Sequence, residues 1–142
     1  MPHVHAPGLV LQFDPQTLIA QACTFTGAQE VELSAQQYYV CIDANPKDAL
    51  WVPLFAGPGP ARKGIAATAK TGNGRWTKSS SFYDTTLLCR IPHKAAQRAA
   101  EKAYDNSTPK APNKLASAQL PPRGEFPDDS AFGPMAGKVS TR

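Results

Sequence analysis

Two apolar runs joined by a short polar segment constrain the fold of this chain more than any other feature. The runs are Gln37-Tyr-Tyr-Val-Cys-Ile42 and Ala49-Leu-Trp-Val-Pro-Leu-Phe55. The first run is mostly aromatic and β-branched, and the second combines such residues with leucine, which is typical of strands. The six residues between them, 43–48, are rich in turn formers, so the sequence predicts a β-hairpin. Pro53 has no backbone N–H to donate, which predicts an edge position or a bulge in the second strand.

Further elements are predicted on both sides of this hairpin. Gly8–Phe13 is an apolar run that ends at Asp14-Pro15, and Thr85–Ile91 has the composition of a final strand. Residues 16–23 fit either a helical turn or an irregular crossover. The alanine-rich segment Lys94–Tyr104 follows a proline and predicts a helix. Residues 1–104 are therefore predicted to form one mainly β domain, a partly open barrel or strongly bent sheet with a C-terminal helix packed on it.

Residues 105–142 have a different composition from the rest of the chain. They contain six of the 14 prolines and only scattered apolar residues. Such a segment buries too little apolar surface to offset the entropy lost on ordering. We expect a Pro-rich tail that is disordered or bound to a partner. Its isolated apolar residues would serve as anchors, and these are Leu115, Leu120, Phe126, Phe132 and Met135.

Three cysteines indicate a reducing location. Cys23, Cys41 and Cys89 are odd in number, show no C-x-x-C spacing and lie in apolar contexts, which predicts buried, reduced thiols and a cytoplasmic protein. No apolar run has the length of a membrane span, and the N-terminus lacks the pattern of a signal peptide. His3 and His5 are read as part of a frayed terminus, and no metal or other cofactor is predicted.

Positive charge is concentrated in the predicted domain. The net charge is −3 over residues 1–35, +6 over 36–104 and +1 over 105–142, for a total of +4. Clustered cations release counterions when they bind a phosphate backbone, so nucleic acid is one predicted partner. Lysines that only keep a small domain soluble are the open alternative.

The segment Lys70–Lys78 combines glycines, cations and a tryptophan, as single-stranded nucleic-acid binders do. Alternatively, Asn73-Gly74 forms a hairpin turn and the tryptophan belongs to the core. The residues predicted to bind nucleic acid are Lys63, Lys70, Arg75, Trp76, Lys78, Arg90, Lys94 and Arg98.

His93 is the candidate general acid or base. It stands where the predicted helix begins, and imidazole exchanges protons near neutral pH. With Arg90, Lys94 and Arg62 to stabilise a developing phosphorane, it would suit metal-free cleavage of RNA. The predicted catalytic residues are His93, Arg62 and Arg75. A surface histidine without a role is the alternative.

A second candidate is the run Ser79-Ser80-Ser81, in which a serine nucleophile would need His93 as its base and Asp84 to orient that histidine. The run lacks a Gly-x-Ser-x-Gly elbow, and a solvated serine turn is the alternative.

The strand order resembles the PemK/MazF growth-inhibitor toxins. The resemblance covers about a third of the chain and lies in Gly8-Leu-Val-Leu-Gln-Phe-Asp-Pro15, Tyr38-Tyr-Val-Cys-Ile-Asp43 and Leu50-Trp-Val-Pro-Leu-Phe55. It implies a small SH3-like barrel, a homodimer and metal-independent cleavage of single-stranded RNA. The family's catalytic arginine and its threonine or serine would fall at Gln36 or Gln37 and at Phe55, which cannot replace them. The resemblance therefore supports the fold more than the catalysis.

Two functions follow as expectations. The first is an RNA-directed, toxin-like protein that could act as a metal-independent endoribonuclease. Its partners would be RNA and an acidic antitoxin protein. The second is a non-enzymatic interaction or structural accessory protein of a phage or mobile element, which would use its Pro-rich tail to hold a partner.

Overall fold

The computed structural model describes residues 5–21, 23–26, 32–34, 37–72, 74–103, 112–134 and 138–140. Within these ranges the chain forms strands β1 (Leu9–Gln12), β2 (Thr24–Phe25), β3 (Glu32–Ser34), β4 (Tyr38–Ala44), β5 (Asp48–Phe55), β6 (Arg62–Ile65), β7 (Lys70–Thr71), β8 (Ser81–Asp84), β9 (Cys89–Pro92), β10 (Asn113–Leu115), β11 (Gly133–Pro134) and β12 (Lys138–Ser140). The helices are α1 (Pro15–Ala20), α2 (Gly74–Thr77) and α3 (His93–Glu101).

Ten strands form one antiparallel sheet that is not closed. Its order is β11–β2–β9–β5–β4–β1–β10–β7, with β8 paired to β5 and β6 paired to β8. Strands β3 and β12 form a separate parallel pair. The mainly β prediction is confirmed. Residues 16–23, which could be helix or crossover, contain most of α1. Asp14 caps the first turn of this helix, because its Oδ2 accepts from the backbone N–H of Thr17 at 3.1 Å.

The predicted hairpin is confirmed as β4–β5, with Val40 opposite Val52. β5 is not an edge strand. It pairs with β9 as far as Trp51 and with β8 from Leu54 onward, so Pro53 falls where the partner strand changes. The missing N–H of the proline therefore interrupts no ladder on that side, which is why a central strand tolerates it.

Alternating residues of the central strands face two separate cores. Tyr39, Cys41 and Trp51 belong to a helix-side core, whereas Val40 and Val52 belong to an opposite core. Side chains alternate between the two faces of a strand, so the sheet lies between the two cores.

Different elements cover the two faces of the sheet. Ala95, Ala96 and Ala99 of α3 pack into the helix-side core. Trp76 of α2 packs into the opposite core, together with side chains of β6, β8 and the C-terminal segment. Helix α3 and the segment that contains β6 and α2 are therefore on opposite faces of the sheet.

The C-terminal segment differs from the tail expected over residues 105–142. β10 is inserted between β1 and β7, and the backbone N–H of Leu115 donates to the carbonyl of Gly8 at 2.8 Å. Leu115 and Phe126 are buried in the opposite core, and Leu120 and Phe132 pack against it. Residues 112–134 thus belong to the folded body, because the few apolar residues of the segment are spaced to reach one core. Met135 lies outside the described residues.

The helix predicted over Lys94–Tyr104 is found as His93–Glu101, but strands follow it, so it is not the C-terminal element. The alternative of a solvated serine turn is confirmed for Ser79, which lies in a bend, and for Ser80, since both are exposed. Ser81 begins β8, which pairs with both β5 and β6.

Gly72 allows β10 to lie close to β7. Its φ is +131°, and a Cβ there would lie 2.2 Å from Oδ1 and 2.7 Å from Cα of Asn113. We expect Gly72→Ala to lower the free energy of unfolding by at least about 2 kcal/mol, because both the backbone conformation and the space exclude a methyl group. Urea denaturation measures this loss.

Gly74→Ala is the matched control for Gly72→Ala. A Cβ on Gly74 would meet no atom within 4 Å. Its free energy of unfolding should stay within about 1 kcal/mol of the parent, because alanine suits a helix at least as well as glycine. Equal effects of the two substitutions would contradict the close approach of β10 to β7.

Candidate acid–base site

His93 lies where three elements meet. Asp48, the first residue of β5, pairs with Pro92 at the end of β9, so α3 begins beside the β4–β5 turn. The backbone N–H of His93 donates to the carbonyl of Lys47 at 3.2 Å. The strand pairing therefore fixes the position of the His93 backbone.

The β4–β5 turn is held rigid by Asn45. Its Oδ1 accepts from the backbone N–H groups of Lys47 and Asp48, each at 2.9 Å, and its Nδ2 donates to Asp48 Oδ1 at 2.8 Å. Such side-chain-to-backbone bonds are characteristic of asparagine in turns. The carbonyl oxygen of Asn45, in turn, lies 2.6 Å from Nε2 of His93.

The other ring nitrogen of His93 contacts a second histidine. His93 Nδ1 lies 2.9 Å from Nδ1 of His5, and the ring centroids are 5.1 Å apart. Both rings are half-buried. The His5 ring also meets the fully buried Trp51 edge to face at 5.5 Å. His5 is thereby held against α3 and β5 by ring contacts and by one nitrogen-to-nitrogen hydrogen bond.

The hydrogen bonds fix where the protons lie. A carbonyl oxygen only accepts, so Nε2 of His93 carries a proton and donates it to Asn45. Neutral His93 then has a lone pair on Nδ1. Two lone pairs would repel at 2.9 Å, so one proton lies between the two Nδ1 atoms, donated by His5 or shared by a singly charged pair. The His5–His93 pair can therefore hold and transfer a proton.

Charged groups of both signs adjoin the pair. Lys47 of the turn and Lys94 of α3 are exposed, and the carboxylate of Asp48, in the same turn, accepts from Asn45 Nδ2. The amino end of α3 follows Pro92, and no side chain caps it. The partial positive charge of a helix amino end adds to that of the two lysines.

The three residues of the predicted catalytic trio lie on three different elements. Arg62 lies in β6, its Nη1 donates to the carbonyl of Gly57 at 2.9 Å, and its guanidinium stacks at 3.9 Å on the ring of Phe55, which packs against the helix-side core. Arg75 is exposed in α2, and His93 begins α3. The grouping of His93 with Arg62 and Arg75 stays a prediction.

Two of the predicted nucleic-acid ligands are buried. Trp76 is 1% exposed, and its Nε1 donates to the carbonyl of Lys114 at 3.2 Å, so its face is closed to a base. Lys70 is 7% exposed and cannot reach a phosphate from where it lies. The alternative, a core tryptophan, is confirmed for Trp76. Asn73, the first residue of the proposed turn, lies outside the described residues.

Two further predicted ligands are engaged by acids of the C-terminal segment. Lys63 forms an ion pair with Glu125, which also accepts from the hydroxyl of Tyr83, and these contacts hold the pKa of Glu125 below its ordinary value. Arg90 donates to Asp129 at 3.1 Å and lies over a phenylalanine ring.

The remaining predicted ligands do not share one surface. Lys94 and Arg98 are exposed on α3, whereas Arg75 and Lys78 are exposed on and just after α2. The sheet lies between these two pairs, so the basic region identified from the sequence is divided between two faces of the molecule. Only Lys94 lies next to the His5–His93 pair.

The cysteines are free and buried, as predicted. Burial raises the pKa of the Cys23 thiol to about 11 and that of Cys41 to about 12, because a thiolate is poorly solvated there. Among the described residues, no three or more His, Cys, Asp and Glu side chains are grouped to hold a metal ion. None of the described helices is long and apolar enough to cross a membrane.

Comparison with protein-family models, curated proteins and solved structures found no match. The resemblance to PemK/MazF toxins therefore stays a prediction. Sequence reasoning found His93 but missed His5 and Asn45. The sequence around His5 gives no indication of this role beyond the presence of a histidine. Its partner His93 is 88 residues away in the chain.

Proposed function

We propose that this protein cleaves single-stranded RNA without a metal ion, as a toxin-like growth inhibitor, and that His5 and His93 carry out the chemistry. The observation that carries the proposal is the 2.9 Å contact between the two Nδ1 atoms, with His93 Nε2 bound to the carbonyl of Asn45. This arrangement supplies a proton acceptor and a proton donor in one place.

The reaction needs both of these roles. The 2′-hydroxyl of a ribose attacks the adjacent phosphorus, and the bond to the 5′-oxygen of the next nucleotide breaks. The pair takes the proton of the hydroxyl and later gives a proton to the leaving 5′-oxygen. The products are a 2′,3′-cyclic phosphate and a 5′-hydroxyl end, and the pair returns to its starting charge.

The electrostatics of the site suit a phosphodiester. Lys47, Lys94 and the amino end of α3 stabilise the charge that develops on the phosphoryl oxygens in the transition state. An unpaired strand would reach the half-buried rings from the side of the exposed lysines. The proposal includes an acidic antitoxin protein as a partner, which the exposed cations Lys94 and Arg98 of α3 would suit. It also includes a homodimer.

We further propose that this sheet, which is not closed, is a small, partly open SH3-like barrel. The sharing of β5 between β9 and β8 supports this, because a strand that changes partners along its length bends a sheet toward closure. The alternative function, an interaction protein with a free tail, has less support, because residues 112–134 are packed on the domain itself.

The test is an RNA cleavage assay in excess EDTA at low salt, where attraction to phosphate is strongest. Single-stranded RNA should be cut to fragments with 2′,3′-cyclic phosphate ends. Single-stranded DNA of the same sequence is the matched control, and it should stay intact because it lacks the attacking hydroxyl. Intact RNA after prolonged incubation, or equal cutting of the DNA, would contradict the proposal.

A further inference from the structure

Lys70 is a buried lysine whose ammonium group contacts a serine side chain. Its Nζ lies 2.6 Å from Oγ of Ser81 and 2.6 Å from the carbonyl oxygen of Ser79. The Nζ also lies 4.1 Å from the ring centroid of Trp76, which covers it. The side chain thus has a fixed position, determined by two hydrogen bonds and one ring.

Burial makes the neutral amine accessible at mildly alkaline pH. It lowers the pKa of Lys70 to about 8, because the charged form is poorly solvated there. The ammonium form donates to the carbonyl of Ser79 and to Oγ of Ser81. Once the amine has lost a proton, one N–H can keep the bond to Ser79 while the lone pair accepts the hydroxyl proton of Ser81.

Ser81 is half-buried at the start of β8, and Ser79 and Ser80 before it are exposed. The sequence had suggested His93 as the base for this serine run, but His93 lies over the helix-side core, while β8 packs on the opposite core. The basic group that reaches the serine is Lys70.

We propose that Ser81 and Lys70 form a nucleophile–base pair that hydrolyses small carboxylic esters. Pairs of serine and lysine can replace the serine–histidine arrangement, since a desolvated amine can accept the hydroxyl proton. The site is separate from the His5–His93 pair, and neither proposal depends on the other. The exposed cations Arg75 and Lys78 lie between Lys70 and Ser81 in the chain and favour esters that carry a negative charge.

The chemistry balances within the pair and water. The Ser81 hydroxyl proton moves to Nζ of Lys70 as Oγ forms a bond to the carbonyl carbon of the ester. The bond to the alcohol oxygen breaks, and that oxygen takes the proton from Lys70. Water then attacks the acyl-serine and gives one proton to Lys70. Lys70 passes that proton to Oγ as the bond between Oγ and the acyl carbon breaks, which releases a carboxylic acid and the free serine.

The test uses a fluorophosphonate probe on the full-length protein, with the labelled residue identified by mass spectrometry. Oγ of the reactive serine forms a bond to phosphorus, fluoride leaves, and the hydroxyl proton passes to Lys70. We expect labelling of Ser81 in the parent, none at that position in Ser81→Ala, and unchanged labelling in Ser80→Ala, the exposed neighbour. Lys70→Met should slow labelling at least about 100-fold, as expected for loss of a general base.

A negatively charged p-nitrophenyl ester, the monoester of succinate, provides the turnover assay. Hydrolysis should be lost in Ser81→Ala and retained in Ser80→Ala. Absence of labelling in the folded parent would overturn the proposal without the need for any variant. Equal labelling of Ser79, Ser80 and Ser81, or parent-like labelling in a folded Lys70→Met protein, would overturn it as well. Labelling of Ser81 without ester turnover would overturn the assignment of the substrate class.

Discussion

Replacing His93 by glutamine should reduce RNA cleavage in EDTA at least about 100-fold, because general acid–base catalysis contributes factors of about 10² to 10⁴. A glutamine amide can take the place of His93 Nε2 and still donate to the carbonyl of Asn45. His5→Asn is the corresponding change across the pair, since an amide N–H can still face Nδ1 of His93. Both variants keep a hydrogen bond but lose an imidazole that can accept and release a proton during the reaction.

The control for these variants is Gln97→Ala, an exposed change on the same helix. It should cleave RNA as the parent does. Thermal unfolding of all three variants should stay within a few degrees of the parent, so that lost cleavage reports on chemistry. Cleavage by a folded His93→Gln protein at the parental rate would show that the pair is structural.

The parts of the fold that were predictable have strong local patterns. β4, β5 and α3 contain enough aromatic, β-branched or alanine residues in sequence to be recognised one by one. β10 has only Leu115 as a buried apolar residue, and its place between β1 and β7 depends on partners more than 40 residues away in the chain. Local composition carries no information about such pairings, so the segment was read as a tail.

Long-range contacts also explain why the candidate sites could be predicted only in part. The charge asymmetry of the chain suggested one basic surface, but charge counted along the sequence does not say on which side of a sheet it falls. The partners of His93 and of Ser81 are 88 and 11 residues away, and in both pairs the decisive residue, His5 or Lys70, had been given another role. Sequence could name the reactive groups but not their partners.

A chain that ends at residue 111 should fail to fold. It would lose β10 from the sheet and the side chains of Leu115 and Phe126 from the opposite core. Loss of one large buried apolar side chain costs about 2–5 kcal/mol, and two such losses approach the whole stability of a small domain, about 5–15 kcal/mol. Circular dichroism and urea denaturation should show no cooperative transition for the truncated chain.

Point substitutions separate this effect from chain length. Leu115→Ala should lower the free energy of unfolding by about 2–4 kcal/mol, while Gln119→Ala, an exposed change four residues later, should be close to neutral. A synthetic peptide of residues 112–134, added to the truncated chain, should restore the transition, because strand insertion supplies both the missing hydrogen bonds and the buried side chains. If the truncated chain instead unfolds cooperatively at the parental urea concentration, the C-terminal segment is a tail that the fold does not need. That result would favour the alternative function as an interaction protein.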